Sequence, residues 1–162
     1  MYEISLCMIV RDEEDVIGRC LDSVKDIVDE IIIVDTGSID KTKEIVSKYT
    51  DKIYDFKWVE DFSKARNFSF SKATKDYIMW MDADDVIEDK ERNKFLELKR
   101  NLNPDIDIYM FKYQTDEKTI YNRERLMKRS KNYKWISPIH EVIVPEGNIE
   151  YVDITIRHKK EK

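Results

Sequence analysis

A seven-residue stretch near the start of the chain, Ile4–Val10 (ISLCMIV), carries one hydroxyl residue among apolar ones and gives way at once to Arg11-Asp12-Glu13-Glu14. A short, non-alternating apolar run of this kind reads as a strand buried on both faces and ended by a polar turn. Past Asp12 the period changes. Val16, Ile17, Cys20, Leu21, Val24 and Ile27 recur at helical spacing, and the acidic residues ahead of them fill the first turn, where the helix dipole favours negative charge. The sequence then returns to a buried strand at Glu30–Val34. A strand, a covering helix and a second buried strand in direct succession commit the chain to a sheet with helices packed on it.

The alternation continues. The turn Asp35-Thr36-Gly37-Ser38 holds one of only three glycines, and Ser38 or Asp40 caps a helix that carries Ile45 and Val46. Lys52–Phe56 is a third strand, Asp61–Ala73 a helix rich in small and aromatic residues, and Asp76–Met81 a fourth strand. Glu88–Leu102 is a charged surface helix with Phe95, Leu98 and Leu102 facing inward. Beyond Pro104 the regularity ends: Ile106–Tyr113, Arg125–Lys128 and Ile149–His158 read as strands, with Tyr133–Val144 irregular. The expected class is therefore α/β, with a mostly parallel central sheet that becomes mixed. No repeat, low-complexity segment or linker divides the 162 residues, which suit one domain over residues 1–162.

Composition excludes several function classes. With 41% hydrophobic and 39% charged residues the chain is globular and heavily solvated, and too apolar for disorder. A net charge of -5 with no evident basic face argues against nucleic acid as a partner. Lysine and arginine do gather in Arg123–Lys134 and from Arg157 to Lys162, which is enough for a diphosphate. The longest aliphatic run, Ile31–Val34, is too short for a transmembrane segment, and no positively charged stretch leads into an apolar signal-like segment, so export is not expected for the sequence as given. Cys7 and Cys20 sit in apolar patterns and read as reduced core residues. A cytoplasmic location is expected, with peripheral association at the inner membrane face as its variant.

The chemistry gathers at strand ends, where open parallel sheets bind ligands. Three of the first four strands end in Arg11-Asp12, Asp35-Thr36-Gly37-Ser38 and Asp82-Ala83-Asp84-Asp85. Turn chemistry alone also favours Asp, Gly and Ser. The third end is the sharpest, because Asp82 and Asp84, two residues apart after an apolar strand, can turn toward one point. A divalent cation is the usual compensation for carboxylates held that close, and oxygen ligands suit Mg²⁺ or Mn²⁺. The glycine and distal glutamate of an EF-hand are missing. Arg66 is a surface cation or, if its helix reaches the strand edge, a partner for phosphate or carboxylate. His140 is followed by Glu141, a carboxylate able to act as general base, and His158 ends the last strand as a possible nitrogen ligand.

Four segments in order, Ser5–Glu14 (SLCMIVRDEE), Val34–Thr42 (VDTGSIDKT), Phe62–Asn67 (FSKARN) and Trp80–Asp85 (WMDADD), resemble family 2 glycosyltransferases of the GT-A fold. The likeness is to the bacterial subgroup that often carries tetratricopeptide repeats. It is strong over about the first hundred residues and looser through Arg125–Arg129 and Ile139-His140-Glu141. The resemblance implies a three-layer αβα sandwich and a metal-dependent, inverting transfer of a sugar from a nucleoside-diphosphate donor, UDP by analogy, to an acceptor hydroxyl. It implies Asp35 on the base, with Val10 and Arg11 lining the base pocket and Arg66 near the base and acidic cluster. It puts Asp82 and Ala83 on the donor, Asp84 and His158 on Mn²⁺ or Mg²⁺, Asp85 on the donor sugar or a metal-bound water, and Glu141 as base. The acceptor, whether glycan, lipid-linked sugar or protein, is not named by it. The chain stops soon after His158, as an excised catalytic core or a very compact enzyme would. Two rivals are a sugar-nucleotide-binding module without catalysis and a haloacid-dehalogenase-type phosphatase, whose D-x-D-x-V loop Asp82–Val86 superficially fits but which places that loop near its start.

Overall fold

Residues 1–160 are described by a computed structural model. Ten strands and four α-helices occur in it: β1 Ile4–Val10, α1 Ile17–Val24, β2 Glu30–Asp35, α2 Thr42–Val46, β3 Ile53–Asp55, α3 Phe62–Ser71, β4 Tyr77–Trp80, β5 Asp85–Val86, α4 Asp89–Arg100, β6 Ile108–Gln114, β7 Ile120–Lys128, β8 Trp135–Ile136, β9 Val142–Ile143 and β10 Ile149–His158. Eight strands form one sheet in the order β3-β2-β1-β4-β7-β6-β10-β5, and β8 pairs with β9 separately. β1 lies between β2 and β4, parallel to both, with Val10 opposite Asp35 and Cys7 opposite Trp80. β7 then runs antiparallel to β4 and β6, while β10 is parallel to β6. The sheet is thus parallel on one side and mixed on the other, as the sequence pattern predicts.

The period of two along β1 explains the layers. Ile4, Leu6, Met8 and Val10 enter one core with Ile17, Leu21 and Val24 of α1 and Phe95 of α4. Cys7 belongs to the opposite core, with Ile32, Phe70 of α3, Ile78, Trp80 and Trp135. Both cysteines are free and buried. No helix among the described residues is long and apolar enough to cross a membrane.

Several local expectations are corrected. Asp12–Asp15 do not form the first turn of α1; that helix starts at Ile17 with no acid in its first turn. Asp12 adopts φ 51°, and its carboxylate accepts the Ile39 N–H at 2.8 Å while Ser38 Oγ accepts the Asp12 N–H at 3.0 Å. Glu14 likewise accepts the Lys41 N–H. The acidic cluster therefore staples the turn after β1 to the turn after β2, a use of short polar side chains that competes with helix. Neither expected residue is the N-cap of α2: that position is Lys41, whose side chain makes no cap bond, while Asp40 accepts the Thr42 N–H from one residue earlier and Ser38 is spent on Asp12. The irregular stretch contains the β8–β9 hairpin, and β7 begins five residues earlier than its apolar pattern, since residues 120–122 are exposed.

Candidate functional site

The strand order reverses between β1 and β4: β1 connects outward to β2, while β3 returns across to β4. At such a point the carboxyl ends of neighbouring strands diverge and leave a crevice. A cleft of about 540 Å³ opens there. Val10, Arg11, Glu13 and Thr36 form its floor on the β1 and β2 side, Asp82, Ala83 and Asp84 its centre, and Arg66, Arg123, His140, Glu141 and His158 much of its far wall.

Arg66 is the hub of that wall. Asp61 caps α3 by accepting the Ser63 and Lys64 N–H groups, which fixes the start of the helix and directs Arg66 inward. The arginine is buried, its guanidinium 4.8 Å from the Trp80 ring and 4.9 Å from the Trp135 ring. Nη2 donates to Asp82 Oδ1 at 2.8 Å and Nε donates to Glu141 Oε1 at 2.9 Å. Burial opposes the charge, but Asp82 and Glu141 outweigh it and hold the guanidinium above its ordinary pKa. Glu141 is delivered by the loop ahead of β9, which is pinned to α3. Phe62 N–H donates to the Pro138 carbonyl at 3.0 Å, and Ser63 Oγ donates to the Ser137 carbonyl. Ser137 at φ 78° and His140 at φ 55° show how tightly that loop turns. Asn67 ties the hairpin down by bonding both the N–H and the carbonyl of Trp135.

The three carboxylates after β4 meet three different fates. Asp82 is paired with Arg66. Asp85 has no solvent exposure and does not line the cleft: its Oδ2 accepts from Arg125 Nη1 at 3.0 Å and from the Asp82 N–H at 2.9 Å, and its Oδ1 from Tyr113 at 2.9 Å. Burial alone would raise its pKa, but Arg125, with His158 and these donors, holds it down at about 2. Asp84 faces the cleft, and its one ion-pair partner among the described residues is His158, Nδ1 lying 3.4 Å from Oδ1. Burial raises Asp84, and Asp85 and Asp82 add to that against the opposing pull of His158. Glu13 across the cleft is raised too, first by burial and then by Asp84 and Asp82. His158 is raised by Asp85 and Asp84 against desolvation.

His158 reaches this position through sheet pairing. β10 runs antiparallel to β5 with His158 opposite Asp85, and the Lys159 N–H bonds the Asp84 carbonyl at 2.7 Å. Ligand atoms of Asp84, Asp85 and His158 all lie within 4.8 Å of one another. A carboxylate and an imidazole that both line the cleft fit a divalent cation of the Mn²⁺ or Mg²⁺ kind. Asp35 ends β2 and is buried; Oδ1 accepts the Gly37 and Ser38 N–H groups at 2.8 Å, while Oδ2 has no hydrogen-bond partner among the described residues. The next residue, Thr36, lines the cleft, and Asp35 itself does not.

The sequence profile of glycosyl transferase family 2 matches residues 5–151. The chain belongs to glycosyl transferase family 2. A TPR repeat-containing protein of Synechococcus elongatus is 38% identical over 147 residues, covering 88% of this chain but only 36% of its own length. The family 2 chain thus spans about a third of that relative. Among solved structures, S. aureus TarS 1-349 in complex with UDP-GlcNAc superposes with a TM-score of 0.74 at 14% identity, covering 99% of this chain and 59% of that one. Glucosyl-3-phosphoglycerate synthase from Mycobacterium tuberculosis, in complex with Mn²⁺ and UDP-glucose, gives 0.56 at 18% identity over 70% of this chain and 44% of its own. At these identities the likeness is one of fold, and the fold is GT-A.

Sequence reasoning misses Glu13, Thr36, Trp58, Phe62, Trp80 and Arg123 as cleft residues, and Tyr113 and Arg125 beneath it. Arg123 and Arg125 lie in the basic stretch Arg123–Lys134, but nothing local distinguishes the one facing the cleft from the one buried.

Proposed function

We propose that this domain transfers a sugar from a nucleoside-diphosphate donor, of the UDP-sugar class, to an acceptor hydroxyl with inversion at the anomeric carbon and in the presence of Mn²⁺ or Mg²⁺. The observation that carries the reading is the division of labour after β4. Arg66 pairs with Asp82 and Arg125 with Asp85, so of the two aspartates lining the cleft only Asp84 has no arginine partner among the described residues, its one ion-pair partner there being the His158 imidazole. Asp84 and His158 would hold the cation, which when bound supplies positive charge to a departing diphosphate. Asp35 Oδ2 is buried just outside the cleft lining and has no donor among the described residues, so it suits the N–H of a nucleobase that enters past Thr36. The backbone from Val10 to Arg11 suits the same base, and Asp82 and Ala83 the ribose or sugar.

The protein's part in the chemistry follows. Glu141, held by Arg66 Nε, accepts the proton of the acceptor hydroxyl as its oxygen bonds to the anomeric carbon. The bond from that carbon to the diphosphate oxygen breaks, and the electron pair leaves with the nucleoside diphosphate. Arg66 fixes the distance between base and donor because one guanidinium grips both Glu141 and Asp82. Asp85 does not touch the donor in this reading; it supports the loop from below.

The test is nucleotide release from UDP-GlcNAc and UDP-glucose, read with and without Mn²⁺ and after chelation. Metal-dependent UDP release is expected, falling about 10²–10⁴-fold in Glu141→Gln with donor affinity retained. Full activity in that variant would remove Glu141 as base, and Mn²⁺-dependent UDP binding with no turnover would make the domain a binding module instead.

A further inference from the structure

Asp85, Tyr113 and Arg125 form a buried group that the reaction proposed above does not use. Asp85 and Arg125 have no exposure, and Arg125 lies between the rings of Trp80, 3.8 Å away, and Tyr113, 4.4 Å away. The backbone is built to put it there. In the pairing of β6 with β7, Tyr109 faces Leu126 and Met110 faces Glu124, so Arg125 is an extra residue, a bulge. Bulges re-aim a side chain at some cost to the ladder. This one sends a charge beneath the acidic loop.

The group ends on one atom of His158. Tyr113 Oη lies 2.9 Å from Asp85 Oδ1 and 3.0 Å from His158 Nδ1. Asp84 Oδ1 and Asp85 Oδ1 stand farther from Nδ1, at 3.4 and 3.6 Å, so the Tyr113 hydroxyl is the nearest of the three groups facing that nitrogen. An ionised carboxylate only accepts, so the phenol must donate its single proton to Asp85. Its remaining lone pair can then only accept, and the partner at 3.0 Å must be an Nδ1–H.

We infer that Tyr113 is a positioning residue for the cation site, with Asp85 fixing the direction of the Tyr113 hydroxyl and that hydroxyl fixing His158 as its Nδ1–H tautomer, which leaves Nε2 as the nitrogen for a metal ion. The inference rests on His158 being a metal ligand, as proposed above. Arg125 Nη1 and the Asp82 N–H both donate to Asp85 Oδ2, which turns Oδ1 to the Tyr113 hydroxyl as an acceptor and sets the hydrogen-bond direction of the whole chain. A metal-bound imidazole is commonly held through its second nitrogen in this way, and loss of such a partner costs about 10–100-fold in metal affinity.

The chain has only two histidines, so ¹⁵N-histidine spectra resolve the question directly. Metal-free protein at pH 9, with His140→Gln to assign the signals, is expected to show His158 protonated at Nδ1. Tyr113→Phe, which keeps the ring and removes only the hydroxyl, should release that preference. In the same variant Mn²⁺ affinity, read from the free-ion signal by electron paramagnetic resonance, should weaken about 10–100-fold with the fold intact by circular dichroism. Wild-type protein with His158 protonated at Nε2 would overturn the inference, and this measurement decides it even if Tyr113→Phe does not fold. Equal Mn²⁺ affinity in wild type and Tyr113→Phe would also overturn it while leaving the metal site standing. Absence of Mn²⁺ binding to wild type, or undiminished binding in His158→Ala, would remove the underlying site instead.

Discussion

Replacing Asp85 with asparagine tests whether the acidic loop rests on a charge pair or on a donor contact. In the native protein Asp85 and Arg125 are both without exposure, and three donors, Arg125 Nη1, the Asp82 N–H and the Tyr113 hydroxyl, converge on one carboxylate. Asparagine keeps the volume but removes the charge and turns one acceptor into a donor. Arg125, two of whose nitrogens already lack hydrogen-bond partners among the described residues, then loses its one ion-pair partner there and is left a buried cation. Breaking a buried pair in this way costs about 3–5 kcal/mol. For a domain of this size that is on the order of 10 °C in melting temperature.

The pH dependence of the gap supplies a second reading. Burial pushes the Asp85 carboxyl up, but Arg125 and the donors bring it to about 2, below its ordinary 3.8. A depressed carboxylate contributes stability in full above its unfolded value and loses it as pH falls through the folded one. The shift corresponds to about 2–3 kcal/mol. Thermal melts and urea titrations of wild type and Asp85→Asn should therefore differ most above pH 5 and converge as pH approaches 2. A variant within about 1 kcal/mol of wild type at pH 7, or a gap that does not change with pH, would refute the buried charge pair.

Three further outcomes are expected. Arg66→Met should lower kcat/KM about 10²–10⁴-fold, since two charge-assisted hydrogen bonds of about 1.5–3 kcal/mol each are lost and Glu141 is released; wild-type kinetics would show that the bridge does not position the base. Asp35→Asn should weaken UDP binding, measured by calorimetry, about tenfold or more, because the unpartnered Oδ2 loses its acceptor character; unchanged affinity would move the base elsewhere. Phe95→Ala, at a position with no exposure and in edge contact with Phe111 at 5.3 Å, should cost about 3–5 kcal/mol in chemical denaturation without altering donor affinity.

Much of this protein is legible in its residue pattern. The uninterrupted apolar run of β1 and the helical spacing after it are local signals, because burial on two faces or on one stripe is written directly into residue type. Asp82 and Asp84 are legible as a cleft pair because a strand ending in i, i+2 acids brings both to the same sheet edge. Residues 120–122 carry no signal, since they pair with β6 by backbone bonds while their side chains meet water. Asp12 and Glu14 mislead for a related reason: the sequence has an acidic turn ahead of a helix, yet the carboxylates bond the next loop rather than the helix end.

The division is clearest at the acidic loop. Sequence alone determined that carboxylates end β4 and that a buried sheet stands behind them, because strand period and turn chemistry act over a few neighbouring residues. Only tertiary structure decided which carboxylate at the cleft is left without an arginine partner among the described residues. That choice depends on Arg66 arriving from α3, on Arg125 being turned under the loop by a bulge in β7, and on β10 pairing with β5 to set His158 beside Asp84. A period of two specifies which face of a strand is buried but not which strand lies beside it. The partners of three neighbouring aspartates are therefore fixed by sheet order and register, and these exist only once the whole sheet has formed.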